Sequence, residues 1–276
     1  MMDLRKLGVR TISGAVYCAV IIGCILLGER GVLVLASILS ALACVEFSKI
    51  SHDLNAKTIP TLILDIAGCI CLCLGFMIYP LVIWIAIMVF RQILELYANT
   101  DRPLFNLAHS MMSQIYIGVP MGVMVAIAYC LNPMILLAIF LFIWLNDTGA
   151  FLVGSTIGKH RLFERISPKK SWEGFFGGLV FTLGFSVLFF YCWNDFFGMD
   201  TLRANLWIWL GLAGVVTVFG TYGDLVESMM KRTLHIKDSG KLIPGHGGIL
   251  DRIDSLLLVM PAVAVYFSLL IYSLFD

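Results

Sequence analysis

PMILLAIFLFIWLNDTGAFLVG, residues 133–154, is 22 residues long and carries a single charge, Asp147. About 20 predominantly apolar residues are what a helix needs to cross the hydrocarbon core of a bilayer, so this stretch reads as a membrane span. A carboxylate at that depth, bracketed by Trp144 and Phe151, is costly unless it meets a cation, a lysine or a water-filled cavity. The segment therefore predicts two things together: an all-α membrane architecture and a polar site beside this span.

Working outward, eight further runs have the same character: 9–28, 31–49, 59–78, 80–98, 113–131, 174–193, 205–224 and 255–275. Gly28 to Gly31, Tyr79-Pro80 and Asn132-Pro133 serve as short hinges between antiparallel neighbours. Composition agrees. Counting Gly and leaving out Tyr, about 66% of the 276 residues are apolar, against the ~45–50% of soluble domains. A soluble domain of this length still exposes about a quarter of the surface of its unfolded chain, so it cannot hide that excess. A soluble enzyme, a disordered chain and a disulfide scaffold are all excluded. The eight cysteines lie in apolar runs without a CxxC pair, as small residues compatible with lipid rather than metal ligands. The first run is not a cleavable signal, because it is long, lacks a small-residue cleavage motif and is followed at once by another span.

Basic residues set the orientation. With the N-terminus inside, 17 of the 19 Lys and Arg fall on the cytoplasmic side, and only Arg30 and Arg203 lie outside. The expectation is a polytopic, all-α integral membrane protein of about nine transmembrane helices, with N-terminus cytoplasmic and C-terminus outside. Residues 1–110 read as scaffold, with Glu46, Asp65 and Glu95 as their notable acids. Residues 111–276 read as the catalytic region, with two cytoplasmic polar loops at 155–173 and 225–254.

Those loops hold the chemistry. The first offers Lys169 and Lys170 before a new helix, with Ser167 or Ser171 as cap and Pro168 early in the turn. Lysines at a helix start suit phosphate, although basic residues in such a loop also serve orientation alone. In the second, Asp224, Glu227, Ser228 and Lys231 share one face if the helix continues past Gly223. Asp251 and Asp254 are likewise three apart, directly after the glycine-rich turn from Gly245 to Gly248. Glycines let backbone N–H groups approach a ligand closely. Hard carboxylate oxygens suit Mg²⁺ with substrate phosphates completing the shell, and neighbouring Lys and Arg neutralise phosphate oxygens. Ion pairs that merely join two helices would explain one Asp–Lys contact but not this gathering. His246, between glycines, reads as a substrate contact; His235 reads as ordinary.

The stretch from Ser228 to Asp254 reads Ser228-x-Met230-Lys231-Arg232-x4-Lys237-Asp238-x-Gly240-x2-Ile243-Pro244-x-His246-Gly247-Gly248-Ile249-x-Asp251-Arg252-Ile253-Asp254. It resembles the signature of the phosphatidate cytidylyltransferases, or CDP-diacylglycerol synthases, with every fixed position occupied. Asp147-Thr148-Gly149-Ala150, Ser167-Pro168-Lys169-Lys170 and Glu173-Gly174 resemble a second motif region of that family. Ser171 stands there for the usual Thr, and Phe151 for the usual Tyr. The likeness covers roughly residues 140–275.

The resemblance implies transfer of CMP from CTP to phosphatidate, giving CDP-diacylglycerol and pyrophosphate. It also implies Asp224 and Asp251 as holders of Mg²⁺, with a monovalent cation such as K⁺ as a second ion. On this reading Asp224, Asp251 and Lys231 are catalytic. Asp147, Lys169, Lys170, Ser228, Arg232, Lys237, His246, Gly247, Gly248 and Arg252 contact the substrates. The partners are CTP, phosphatidate and membrane lipids, not nucleic acid, with room for a homodimer. The expected location is the bacterial cytoplasmic (inner) membrane, with the site facing the cytoplasm. Among alternatives, a CTP-dependent polyprenol or dolichol kinase conflicts with the intact signature. A transporter would spread its acids over several depths, and an alcohol phosphatidyltransferase needs a DG-x2-AR motif that is missing.

Overall fold

The computed structural model describes residues 4–51, 59–75, 78–98, 100–198, 205–240, 242–244 and 247–275. Its helices are α1 (Leu4–Leu26), α2 (Glu29–Ser51), α3 (Ile59–Cys73), α4 (Ile78–Ala98), α5 (Pro103–Ser113), α6 (Val119–Cys130), α7 (Pro133–Ile157), α8 (Trp172–Trp193), α9 (Leu206–Thr233) and α10 (Leu250–Phe275). A short hairpin of β1 (Arg161–Phe163) and β2 (Ser167–Ser171) separates α7 from α8. Among the described residues, seven helical runs are long and apolar enough to cross a membrane, and Arg10–Leu26 and Ile59–Cys73 are shorter apolar helices. The chain divides into two compact units, one of residues 1–126 with 236–253, the other of 127–235 with 254–276.

The first unit is built on small and polar contacts between its helices. Gly118 lies against Leu72 and Cys69, and Gly122 lies against the Leu72 carbonyl. A single π-helical turn, Gln114–Gly118, joins α5 to α6, so the run is helical from Pro103 to Cys130. The expected span at 113–131 therefore starts ten residues earlier. Pro103 pre-sets the first helical turn, where its missing N–H is no loss. At the centre of this unit Arg91 donates to Ser110 Oγ at 2.9 Å, Glu95 Oε2 at 2.8 Å and the Asn106 carbonyl at 3.4 Å. Ser110 donates onward to Asp65 at 3.1 Å. Asp65 and Glu95, two of the notable acids of this region, are members of one buried network.

In the second unit, glycines decide how closely α7 and α8 approach. Gly154 and Gly174 face one another, and Gly177 presents bare backbone to Val153. Small residues at a helix–helix seam let backbones come together where lipid supplies no hydrophobic drive. At the other end of these helices Phe142, Phe189, Phe197 and Trp209 form a ring cluster with centroids 4.9–6.0 Å apart. Trp209 Nε1 donates to Asn194 Oδ1 at 2.8 Å, which satisfies the one polar atom of that cluster.

Both regions expected as loops carry more structure than their polarity suggested. Within residues 155–173, Arg161 to Ser171 fold into the hairpin, tied back by the Trp172 N–H to the His160 carbonyl at 2.9 Å. Of the two candidate caps, Ser171 is the one used: its Oγ accepts the Gly174 N–H at 3.1 Å. In the second region α9 continues to Thr233, because Asp224, Glu227, Ser228 and Lys231 pair along its surface, and α10 begins at Leu250. Between them the described residues 234–240, 242–244 and 247–249 form no helix.

Candidate active site

The second unit encloses a cavity of about 610 Å³, lined on α7 by Asn146, Asp147 and Ser155, on the hairpin by Arg161, Lys169 and Lys170, and on α9 by Thr221 and Asp224. Asp147 is exposed toward this space rather than buried among apolar side chains. The cavity is one of the three outlets expected for a carboxylate at that depth, because an acid within a span requires a polar surround. Lys170 Nζ lies 2.7 Å from Asp224 Oδ2 and 3.3 Å from the Thr221 carbonyl, bridging the hairpin to α9. Lys169 is exposed at the rim. Arg232 Nε donates to the Ile166 carbonyl at 3.3 Å, so it braces the hairpin turn from α9.

Asp224 is one of three gathered acids. Oxygens of Asp224, Glu227 and Asp254 all lie within 4.8 Å of one another. Ser228 Oγ donates to Asp224 Oδ1 at 3.2 Å, and Lys231 forms an ion pair with Glu227, which is 1% exposed. Hard oxygens from three acids at this spacing fit a small divalent cation. Asp254 is brought to α9 by Gly223: a Cβ there would sit 2.6 Å from the Asp254 carbonyl oxygen and 2.9 Å from Ser255 Cα. Gly223→Ala is therefore expected to force α9 and α10 apart near the acids. The expected cost is about 1–3 kcal/mol of stability and a rough tenfold loss of Mn²⁺ affinity by electron paramagnetic resonance. Unchanged affinity would show that Asp254 does not depend on this contact.

In the first unit, Asp251 is held by neighbours of that unit. Asp251 Oδ2 accepts from Ser239 N–H at 2.9 Å, Ser239 Oγ at 2.9 Å and Gly248 N–H at 2.8 Å. Glu46 Oε2 accepts from the Leu250 N–H at 2.9 Å and Ser239 Oγ at 3.3 Å, while its Oε1 has no hydrogen-bond partner among the described residues. Two carboxylates thus organise the glycine-rich turn and the start of α10. Gly247 has φ +89, a conformation that disfavours any side chain, and its carbonyl accepts the Ile243 N–H at 2.9 Å. Lys237 and Arg252 are exposed, and the Arg252 carbonyl accepts from Tyr17 at 3.1 Å. His246 lies outside the described residues.

The arrangement thus brings Asp224, Lys170, Ser228 and Lys231 together, with Asp147 and Lys169 on the same cavity. Glu227 and Asp254, which the sequence reading placed in the two carboxylate pairs without naming them as metal holders, join Asp224 here, and Arg161 and Asn146, which it did not assign to the site, line the cavity. Glu227 and Asp254 carried a visible signal, each lying three residues after a chosen aspartate. Glu46 carried none, because its partners are nearly two hundred residues away and its place near a span end suggested an acid reaching for the interface.

The sequence profile of the Cytidylyltransferase family matches residues 8–270. The phosphatidate cytidylyltransferase of Staphylococcus aureus (strain COL) is 47% identical over 128 residues, which is 46% of this chain and 46% of that protein. Those of Staphylococcus haemolyticus (strain JCSC1435) and Staphylococcus epidermidis (strain ATCC 12228 / FDA PCI 1200) are 45% identical over 128 and 126 residues, at the same 46% shares. The chain spans about half the length of the curated relatives it matches. With a profile running through nearly all of its helices, and with acids and lysines set around one cavity, the chain belongs to the cytidylyltransferase family.

Proposed function

We propose that this protein transfers CMP from CTP to phosphatidate, giving CDP-diacylglycerol and pyrophosphate. The observation that carries the reading is the cavity wall on which Asp224, in reach of Glu227 and Asp254, meets Lys170 of the hairpin. An oxygen of the phosphatidate phosphate attacks the α-phosphorus of CTP, and the bond to the β-phosphate oxygen breaks with release of pyrophosphate. The nucleophile needs no general base, since a phosphate monoester loses its second proton near pH ~6. No covalent enzyme intermediate is required.

Bringing two polyanions together requires countercharge. Lys170, Lys169 and Arg161 line the cavity and supply it for the phosphate oxygens. Lys231 is held by Glu227 on the same face of α9. A Mg²⁺ ion held by Asp224, Glu227 and Asp254 would add Lewis-acid stabilisation of the transferring phosphoryl group. Asp251 as a second holder, and K⁺ as a second ion, belong to the same proposal. Ser171 caps α8, and Glu173 accepts the N–H groups of Lys159 and His160 at 3.1 and 3.2 Å. Those bonds give the hairpin a fixed footing and keep its lysines turned to the cavity.

The charge distribution supports nine spans with the N-terminus inside and the C-terminus outside, in a bacterial cytoplasmic membrane. CTP then reaches the cavity from the cytoplasm and the lipid enters from the leaflet. The test incubates purified protein with labelled CTP, phosphatidate and Mg²⁺. A labelled lipid with stoichiometric pyrophosphate is the expected result. CDP in place of pyrophosphate would identify a lipid kinase, and the absence of any labelled lipid across divalent metals would reject the reading.

A further inference from the structure

We propose that the first unit binds one monovalent metal cation, of the size of Na⁺, on the carboxylate of Asp65. The site shares no residue with the polar cavity and does not rest on the reaction proposed above. Asp65 is 5% exposed, and its Oδ1 has no hydrogen-bond partner among the described residues. It lines a cavity of about 20 Å³ together with Ser48, Thr61, Glu95 and Ser110. One water needs about 10–15 Å³ on that measure, so the space holds a single small particle. The cavity lies where helix ends meet: Ser48 is in the last turn of α2, Thr61 is in the first turn of α3, and Ala98 ends α4. An ion reaches it from these ends without crossing the apolar length of the spans. The π-helical turn supports the site, since Gln114 donates to the Asp65 carbonyl at 2.8 Å and so fixes this turn of α3.

Hydrogen-bond directions leave the charge on Asp65. Arg91 Nε donates to Ser110 Oγ at 2.9 Å, and the single hydroxyl hydrogen of Ser110 goes to Asp65 Oδ2 at 3.1 Å. A proton on Oδ2 would displace that hydrogen, and a proton on Oδ1 would be a donor facing no acceptor. Arg91 is already paired with Glu95 at 2.8 Å, and Glu95 accepts further from Thr100 at 2.5 Å and Asn106 at 2.8 Å. Those two charges cancel, so the buried cluster carries one negative charge in excess. His109, the remaining titratable group on the cavity, lies flat on the Phe47 ring with centroids 4.6 Å apart. A water would satisfy Oδ1 as a hydrogen-bond acceptor but would leave the charge uncompensated, which is costly at such burial. Size decides against a divalent ion: Mg²⁺ keeps several of its waters, and Ca²⁺ takes six to eight oxygens. A bare monovalent cation answers both the charge and the volume.

The test uses the full-length protein in detergent at constant ionic strength, with NaCl exchanged for choline chloride. The thermal midpoint is expected to rise by about 5 °C with increasing Na⁺ and then level off, as for a ligand that binds only the folded state. Binding of radioactive sodium should saturate at one ion per chain and be displaced by unlabelled Na⁺ but not by choline. Asp65→Asn keeps the shape of the side chain and its bond from Ser110, and should abolish both responses. Asp251→Asn should keep both; their loss there would move the ion to Asp251 and overturn the assignment. Ser48→Ala removes one lining hydroxyl and leaves the network whole. It is expected to weaken sodium binding roughly tenfold, the scale of one polar contact to a charged group. A midpoint equal in Na⁺ and choline, with no bound sodium, would leave water in the cavity and reject the proposal. So would a midpoint governed by pH alone, which places a proton on Asp65 or His109, or a sodium response intact in Asp65→Asn.

Discussion

Asp224→Asn is expected to lower the proposed CMP transfer by about 10²–10³-fold, the scale on which loss of one preorganised charge-stabilising group is measured. The side chain keeps its shape and loses its charge, so the effect reports electrostatics rather than packing. Asp224 has three neighbours to lose at once: the Lys170 ammonium at 2.7 Å, the Ser228 hydroxyl at 3.2 Å, and any cation shared with Glu227 and Asp254. The same substitution is expected to weaken Mn²⁺ binding, read by electron paramagnetic resonance in the absence of nucleotide. It should leave the thermal midpoint in detergent nearly unchanged or raised, since Asp224 is partly exposed and crowded by other carboxylates. Near-normal turnover with normal Mn²⁺ affinity would remove Asp224 from the site. Lost turnover with normal Mn²⁺ affinity would assign it to Lys170 and the phosphates instead.

Arg91→Met is expected to have the largest effect on folding, with no direct effect on chemistry. Arg91 is 3% exposed and is the cation of the network formed with Glu95, Ser110, Asn106 and Asp65. Glu95 also accepts from Thr100 at 2.5 Å and Asn106 at 2.8 Å, so its carboxylate is well bound but relies on Arg91 for charge. Breaking a buried pair from one side leaves an uncompensated ion, which costs about 3–5 kcal/mol. The thermal midpoint in detergent should fall by on the order of 10 °C. Arg91→Met combined with Glu95→Leu should recover part of that loss, because the orphaned carboxylate is gone. A double variant as unstable as the sum of its parts would mean that the two residues do not act as a pair.

Much of the architecture was legible because its signal is local. A span announces itself by 20 apolar residues, and the runs at 31–49, 80–98, 133–154, 174–193 and 205–224 each coincide with a long helix. Boundaries were less legible where polar residues continue a helix beyond the apolar run. The apolar run ends at residue 224 but α9 ends at Thr233, because Glu227, Lys231, Ser228 and Asp224 pair at helical spacing. The hairpin at 161–171 was hidden for the opposite reason: Lys169 and Lys170 read as loop residues, and strand pairing depends on a partner segment rather than on their own chemistry.

In the candidate site, the sequence by itself determined which residue types are available. Scarce charge in a lipid-soluble chain makes each remaining acid and lysine conspicuous, and it singled out Asp147, Asp224, Asp251, Lys170 and Lys231. What the sequence could not express is which of these meet, since i, i+3 spacing orients side chains on one helix but says nothing of the neighbour. Only the tertiary structure set Lys170 on Asp224 across fifty-four positions, brought Asp254 to Glu227 over the bare backbone of Gly223, and gave Glu46 to Ser239 and Leu250. The physical reason is that helix–helix approach within a membrane protein is governed by small residues and by hydrogen bonds between distant partners. Hydrophobicity, which the sequence displays so plainly, decides only that the helices enter the bilayer.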